Sequence, residues 1–282
     1  MNTPVLSTLG AADQQLAVYD WGLAEPHLRD AARGTILLVH GLGEHIGRYD
    51  GVAQRLLQAG FAVRGYDHVG HGLSGGRRGD LPERDRLLQD LGQVIDATRR
   101  LPGRAAHPLI LLGHSMGGLV VARAVAEKIR PVDALVMSSP ALAASTNAVQ
   151  KFLLATLPRW FPHLCVDNGL DAQWVARSPQ VVQAYLQDPL VHRKIAAGLA
   201  QWILAEGAKT VADAPAWTTP SLLLYAGTDR LVDPQGSARF AAQAPAAWVQ
   251  AQAFEAMYHE IFNDPEAEQV FDVLIPWLTQ RF

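Results

Sequence analysis

The sequence predicts an α/β protein: a mostly parallel, doubly wound sheet, interrupted once by an inserted helical cap. Three observations carry this. Short apolar runs alternate with longer amphipathic ones along most of the 282 residues. The runs are continuously apolar rather than alternating, as strands covered by helices on both faces require. The alternation lapses between residues 141 and 214 and then resumes.

Taken in order, the strands are TILLVH (35–40), FAVRGY (61–66), LILLG (109–113), ALVMSS (134–139), SLLLYAG (221–227) and, less strongly, WVQAQAF (248–254). Between the first two lies RYDGVAQRLLQAG, a helix closed by Gly60, which suits a left-handed C-terminal position. ERDRLLQDLGQVIDATRR puts Leu87, Leu91, Val94, Ile95 and Thr98 on one stripe, acids early and arginines late, in accord with the helix dipole. Helix formers follow Met116. PEAEQVFDVLIPWLTQRF closes the chain as a helix that Pro276 should kink or divide.

Residues 141–214 show only helical segments rich in Trp, Leu and Ala, punctuated by prolines. Structureless loops of that length are rare in compact domains, so the stretch reads as a helical cap. The expected organisation is 1–139 as the first part of the core, 140–214 as the cap, and 215–282 as the second part.

Composition narrows the function. The formal net charge is −3, with the basic residues scattered, so nothing points to nucleic acid. The one short basic cluster, GGRRGD at 75–80, reads as an exposed charged turn ahead of a phosphate site. A single cysteine, Cys165, excludes an intramolecular disulfide and suits a reducing compartment. It has no basic neighbour in sequence to activate it. With no signal-like N-terminus and no apolar run of spanning length, a cytoplasmic protein is expected.

The chemistry gathers at LLGHSMGG. Gly113 and Gly117 bracket Ser115 as Gly-x-Ser-x-Gly between a strand and a helix, the pattern of a sharp turn that exposes a strained serine. The following helix N-terminus offers the Met116 N–H to an anion forming beside the hydroxyl. A serine needs a base and an orienting acid. Asp229, in GTDRLVDP, and His259, in MYHE, both follow strands, at the sheet edge where sites of open α/β sheets lie. The competing Asp233 precedes Pro234 and reads as a helix N-cap. Glu260 reads as a solvated or ion-paired neighbour of the histidine. In LLVHGLGEHIGRY, Gly41 lets backbone approach a substrate oxygen, and the Leu42 N–H is the second candidate donor. His40 with His45, and His68 with His71, bring no cysteine or carboxylate at metal-ligand spacing. They read as loop histidines bonded to backbone, and no metal or cofactor is expected.

On these residues the chain resembles the monoacylglycerol lipase family, with its lysophospholipase-like bacterial relatives, among the α/β-hydrolases. HGLGEHIGRY is similar to the family's oxyanion block, DHVGHGLSGGRRG to its Asp-x-x-Gly-His-Gly-x-Ser loop, and GHSMGG to its nucleophile elbow. SSPAL, DPLV, GTDRLVDP and YHE complete the resemblance from Leu37 onward. It implies an α/β-hydrolase fold, with Ser115 as nucleophile, Asp229 as acid, His259 as base, and Leu42 and Met116 as oxyanion donors. The implied substrate is a small lipid monoester.

Three functions stay open: hydrolysis of monoacylglycerols, a lysophospholipase or general carboxylesterase activity, and a ligand-binding relative that has lost catalysis. Dehalogenase and epoxide hydrolase chemistry is disfavoured, because those relatives carry an aspartate where this chain has Ser115. In KFLLATLPRWFPHL the spacing of Leu153, Leu157, Trp160, Phe161 and Leu164 favours packing of the cap onto the core. An acyl tunnel, or transient contact of the cap with a membrane surface, stays open as the alternative.

Overall fold

A computed structural model describes residues 3–10, 15–23, 25–144 and 159–282. The chain begins with β1 (Val5–Leu9) and β2 (Leu16–Trp21), then α1 (Pro26–Ala31), β3 (Thr35–Val39), α2 (Asp50–Gln58) and β4 (Ala62–Tyr66). It continues through α3 (Arg86–Arg99), β5 (Leu109–His114), α4 (Met116–Ala126) and β6 (Ala134–Ser138). An insert then carries β7 (Cys165–Asp167), α5 (Pro179–Gln187), β8 (Lys194–Ala196) and α6 (Ala197–Asp213). The chain returns with β9 (Ser221–Ala226), α7 (Pro234–Gln243), β10 (Val249–Phe254) and α8 (Glu268–Thr279).

Eight strands form one sheet in the order β1-β2-β4-β3-β5-β6-β9-β10. All six strands expected from the sequence are in it and run parallel. The hairpin β1–β2 joins antiparallel to β4, an addition to the expected strands. Its second strand carries a buried Asp20, a residue type seldom found inside a strand or a core. Asp20 lies opposite Arg64 of β4 and accepts two bonds from its guanidinium, at 2.6 and 2.7 Å. A buried carboxylate is tolerable only with such a partner.

Side chains alternate between two cores because successive strand residues face opposite ways. Leu37, Val39 and Leu111 pack with Leu87, Leu91, Leu119 and Val120 of α3 and α4. Ile36, Leu38, Ile110 and Leu112 pack on the other face with Val52 and Leu56 of α2 and Val270 and Leu274 of α8. α4 is buried nearly all round, held between the sheet and α6. The buried Arg123 of α4 ties the two helices by bonding Asp213, at the end of α6, at 2.6 Å.

Three expectations are corrected. The insert is not wholly helical: β7 and β8 pair antiparallel, Cys165 opposite Ala196. Each is three residues long and its partner lies about thirty residues away, so no local pattern announces them. α8 is not divided at Pro276: the helix runs from Glu268 through the proline to Thr279. The proposed packing stripe of the insert fails where it is described: Trp160, Phe161 and Leu164 are 75%, 60% and 45% exposed. Leu153 and Leu157 lie outside the described residues. Among the described residues, no helix is long and apolar enough to cross a membrane.

Candidate active site

Four loops converge at the carboxyl edge of the parallel strands: those after β3, β5, β9 and β10. The loop after β5 is the tightest. Ser115 stands between strand and helix at φ 55°, ψ −121°, a left-handed conformation that a side chain rarely adopts. Its N–H donates to Ser138 O (2.9 Å), and its carbonyl accepts from Ala141 N–H (3.0 Å). The flanking glycines are there for contact. A Cβ on Gly113 would stand 2.3 Å from Gly117 O, and one on Gly117 would stand 2.2 Å from Val39 O. No side chain fits in either place, so elbow and β3 are locked backbone to backbone.

Asp229 and His259 meet. His259 Nδ1 lies 2.6 Å from Asp229 Oδ2, while Asp229 Oδ1 accepts the N–H groups of Leu231 (2.9 Å) and Val232 (3.0 Å). Both side chains are buried. Burial by itself would raise the carboxyl and lower the imidazole. The mutual charge and hydrogen bond outweigh it, so Asp229 titrates below its ordinary range and His259 above. The His259 ring rests 4.7 Å, centroid to centroid, from that of His114, the residue before Ser115. Ser115 Oγ makes no hydrogen bond to His259 here; such bonds often tighten only around substrate. Asp233 does what its position suggests: it caps α7 by accepting from Gln235 N–H at 3.0 Å.

The loop after β3 crosses beside the serine. A Cβ on Gly41 would lie 3.1 Å from Ser115 Cβ. His68 N–H donates to His40 Nε2 (2.9 Å), so Nδ1 carries the proton and donates to Gly41 O at 2.7 Å. In a trans peptide the carbonyl and the following N–H point oppositely. Holding Gly41 O therefore aims the Leu42 N–H. Among the described residues, neither the Leu42 nor the Met116 N–H has a hydrogen-bond partner.

Behind this loop lies a charged brace that the sequence reading did not identify. Glu44 accepts from Gly41 N–H and from Tyr49 OH, each at 2.7 Å, and pairs with Arg48. Arg48 also grips Glu260 through both terminal nitrogens. Burial works against ionisation of Glu44, but Arg48 and the neighbouring donors hold it down at about 2. Glu260 is thus ion-paired, as one of the two readings had it, and buried rather than solvated. His114 was also overlooked. Burial, then the neighbouring His259, pushes it down to about 3, so it is neutral and apposed to His259.

The remaining histidines divide. His71 bonds backbone, its Nδ1 3.1 Å from Val69 O. His45 does not follow that expectation: its Nε2 meets Asp188 Oδ2 of the insert at 2.8 Å. His68 packs edge-on against His40 and Tyr66. Among the described residues, no group of three or more His, Cys, Asp or Glu is arranged to hold a metal ion. Cys165 does have basic neighbours in space, sharing a surface hollow with Arg77, Arg78 and Lys194. Burial nevertheless pushes its thiol up.

The family model described as Serine aminopeptidase, S33 matches residues 30–266. A relative named monoacylglycerol lipase, from Mycolicibacterium smegmatis, is 38% identical over 258 residues, covering 88% of this chain and 89% of its own. Phospholipase YtpA of Bacillus subtilis is 31% identical over 250 residues, with 86% and 93% covered. The crystal structure of Paleococcus ferrophilus monoacylglycerol lipase superposes with a TM-score of 0.82 at 31% identity, over 99% of each chain. The chain is therefore a hydrolase of the serine aminopeptidase, S33 family, and belongs with the monoacylglycerol lipase-like α/β-hydrolases.

Proposed function

We propose that the protein hydrolyses lipid monoesters such as monoacylglycerols through an acyl-enzyme. Ser115 Oγ attacks the acyl carbonyl while His259 Nε2 takes its proton. Asp229 keeps the proton on Nδ1 and stabilises the imidazolium. The tetrahedral oxyanion is received by the N–H groups of Leu42 and Met116. The alcohol leaves with the proton from His259. Water, activated by the same imidazole, then frees the fatty acid. Residues 140–214 act as a cap on a core built from 1–139 and 215–282, and the cap walls the acyl site.

The observation that carries this reading is the Asp229–His259 pair at 2.6 Å, its carboxylate fixed by two backbone N–H groups and its ring set against His114. The strained Ser115 and the aimed Leu42 N–H support it. Relatives named monoacylglycerol lipase support the substrate class.

A second reading, hydrolysis of lysophospholipids, has the relative named phospholipase in its favour. Rates on monoacylglycerol, lysophospholipid and p-nitrophenyl esters separate the two. A fluorophosphonate should label the wild-type chain and spare Ser115→Ala; equal labelling of both removes the serine mechanism. Longer acyl chains should gain about fourfold in kcat/KM per methylene, ~0.8 kcal/mol, until the pocket is full. Equal kcat/KM on acetyl and decanoyl esters removes the apolar acyl pocket.

A further inference from the structure

The turn that carries Leu42 is held from two sides, and one of them is the insert. Within the core, Gly41 N–H is taken by Glu44 and Gly41 O by His40. From the insert, His192 N–H donates to Gly43 O at 2.8 Å. Gly43 sits at φ 77°, and a Cβ there would stand 2.4 Å from His192 O, so only glycine lets the two backbones meet. The residue before Leu42 is thus fixed by the core and the residue after it by the insert. His192 is itself well anchored. Asn168 N–H donates to the next carbonyl, Arg193 O, at 2.7 Å, and Ala196 N–H donates to Gly79 O at 2.8 Å.

The same residue ends a column of imidazoles. The His192 ring lies 4.7 Å, centroid to centroid, from that of His71, and His71 lies 5.4 Å from His40. His40 is the ring whose Nδ1 donates to Gly41 O. The column therefore runs from the insert to the peptide that presents the Leu42 N–H. Its outer members are bonded as neutral rings: Lys194 N–H donates to His192 Nδ1 at 3.2 Å, and His71 Nδ1 donates to Val69 O at 3.1 Å. Burial pushes His71 well below its ordinary value and, with Arg78 nearby, His192 down to about 4. Among the described residues, neither His71 Nε2 nor His192 Nε2 has a hydrogen-bond partner. On that side the rings are placed by packing on each other, and close-packed rings transmit a displacement.

We propose that His192 is a positioning residue for the oxyanion donor: its backbone holds the far side of the Leu42 turn, and its ring, through His71, keeps His40 on Gly41 O. The insert then acts on transition-state stabilisation itself. The inference rests on the reading of Leu42 as an oxyanion donor, and its test separates the two.

The variants are His192→Ala, His71→Ala and the two together, with His192→Phe as the conservative change that restores a ring. The probe is an alkyl trifluoromethyl ketone: Ser115 Oγ adds to its carbonyl carbon, and the carbonyl oxygen becomes an oxyanion. The comparator is the secondary alcohol of the same skeleton, which forms no oxyanion and whose binding shows that a variant is folded. A whole oxyanion donor is worth about 10²–10³ in kcat, so misaiming one should cost about tenfold. His192→Ala should lose that factor in both kcat and ketone affinity, with KM and alcohol affinity held within about twofold. His71→Ala should match it, the pair should lose no more than either alone, and His192→Phe should recover the loss. Unchanged kcat in His192→Ala overturns the proposal, as does a His192→Phe no better than alanine. An equal fall in alcohol affinity overturns it by making the residue a support for the fold alone, and an additive loss in the pair breaks the column. A wild-type enzyme indifferent to the ketone fails earlier, removing Ser115 and Leu42 from the chemistry and this proposal with them.

Discussion

Arg48 holds Glu260 by two contacts, 2.6 and 2.8 Å, and Glu260 is the residue after His259. The same guanidinium pairs with Glu44, whose other oxygen accepts the Gly41 N–H. One cation, its side chain 11% exposed, thus ties the loop bearing Leu42 to the loop bearing His259. Removing it should cost much more than a surface pair, because two buried carboxylates lose their counter-ion. Arg48→Met should lower unfolding stability by about 3–5 kcal/mol in chemical denaturation. A loss under ~1 kcal/mol would place the pair among weak surface contacts.

The assignment of the acid can be decided by two conservative changes. Asp229→Asn should cut kcat on the order of 10⁴, since the amide upsets the imidazole's tautomer. Ser115→Ala should cut it by about 10⁶. Asp233→Asn should leave kcat near the wild-type value, because asparagine also caps helices well. Steady-state kinetics on an activated ester measure all three. A dead Asp233→Asn beside an active Asp229→Asn reverses the assignment.

The pH profile follows from the same pair. His259 titrates above its ordinary value of about 6.5, because the charge and hydrogen bond of Asp229 outweigh burial. Acting as a base it must be neutral, so kcat/KM should rise with pH through that raised value. In Asp229→Asn the largest raising causes are gone, with only the more distant Glu260 and Glu44 left against burial, so the residual activity should show its acid limb at lower pH. Stability runs the other way for the raised histidine. Its contribution is full below the unfolded imidazole value and is lost as pH climbs through the folded one. Asp229, which is lowered, contributes above the unfolded carboxyl value and loses that contribution as pH falls through the folded one. An acid limb unmoved by Asp229→Asn would separate it from His259.

The elbow should not tolerate a methyl group. Gly117→Ala places a carbon within 2.4 Å of two carbonyl oxygens, Val39 O and His40 O, both backbone and unable to swing aside. The expected result is loss of activity with about 3 kcal/mol or more of destabilisation. Gly51→Ala is the control, since nothing lies within 4 Å of that added carbon. Thermal melts should separate the two variants, and equal melting would mean that the turn is looser than its contacts imply.

Much of this molecule is written locally. Apolar runs such as LILLG and SLLLYAG need no partner to be recognised, because a strand buried on both faces is continuously hydrophobic. Gly-His-Ser-Met-Gly, Asp229, His259 and the capping Asp233 are legible for a related reason: each sits at an element's end, where turn chemistry restricts residue type. What stayed hidden depends on partners distant in sequence. Asp20 suits neither strand nor core until Arg64 stands opposite it, and β7 finds β8 only across about thirty residues.

Sequence alone therefore determined the parallel core, the insert and the three residues proposed for chemistry. Tertiary structure alone decided the antiparallel edge, the Glu44–Arg48–Glu260 brace, the exposure of Trp160 and the hollow that gathers Arg77, Arg78, Arg193 and Lys194. The division is physical. Periodicity and turn geometry are set within a few residues, whereas whether a charge is buried, paired or left facing solvent depends on which distant side chain folding brings beside it.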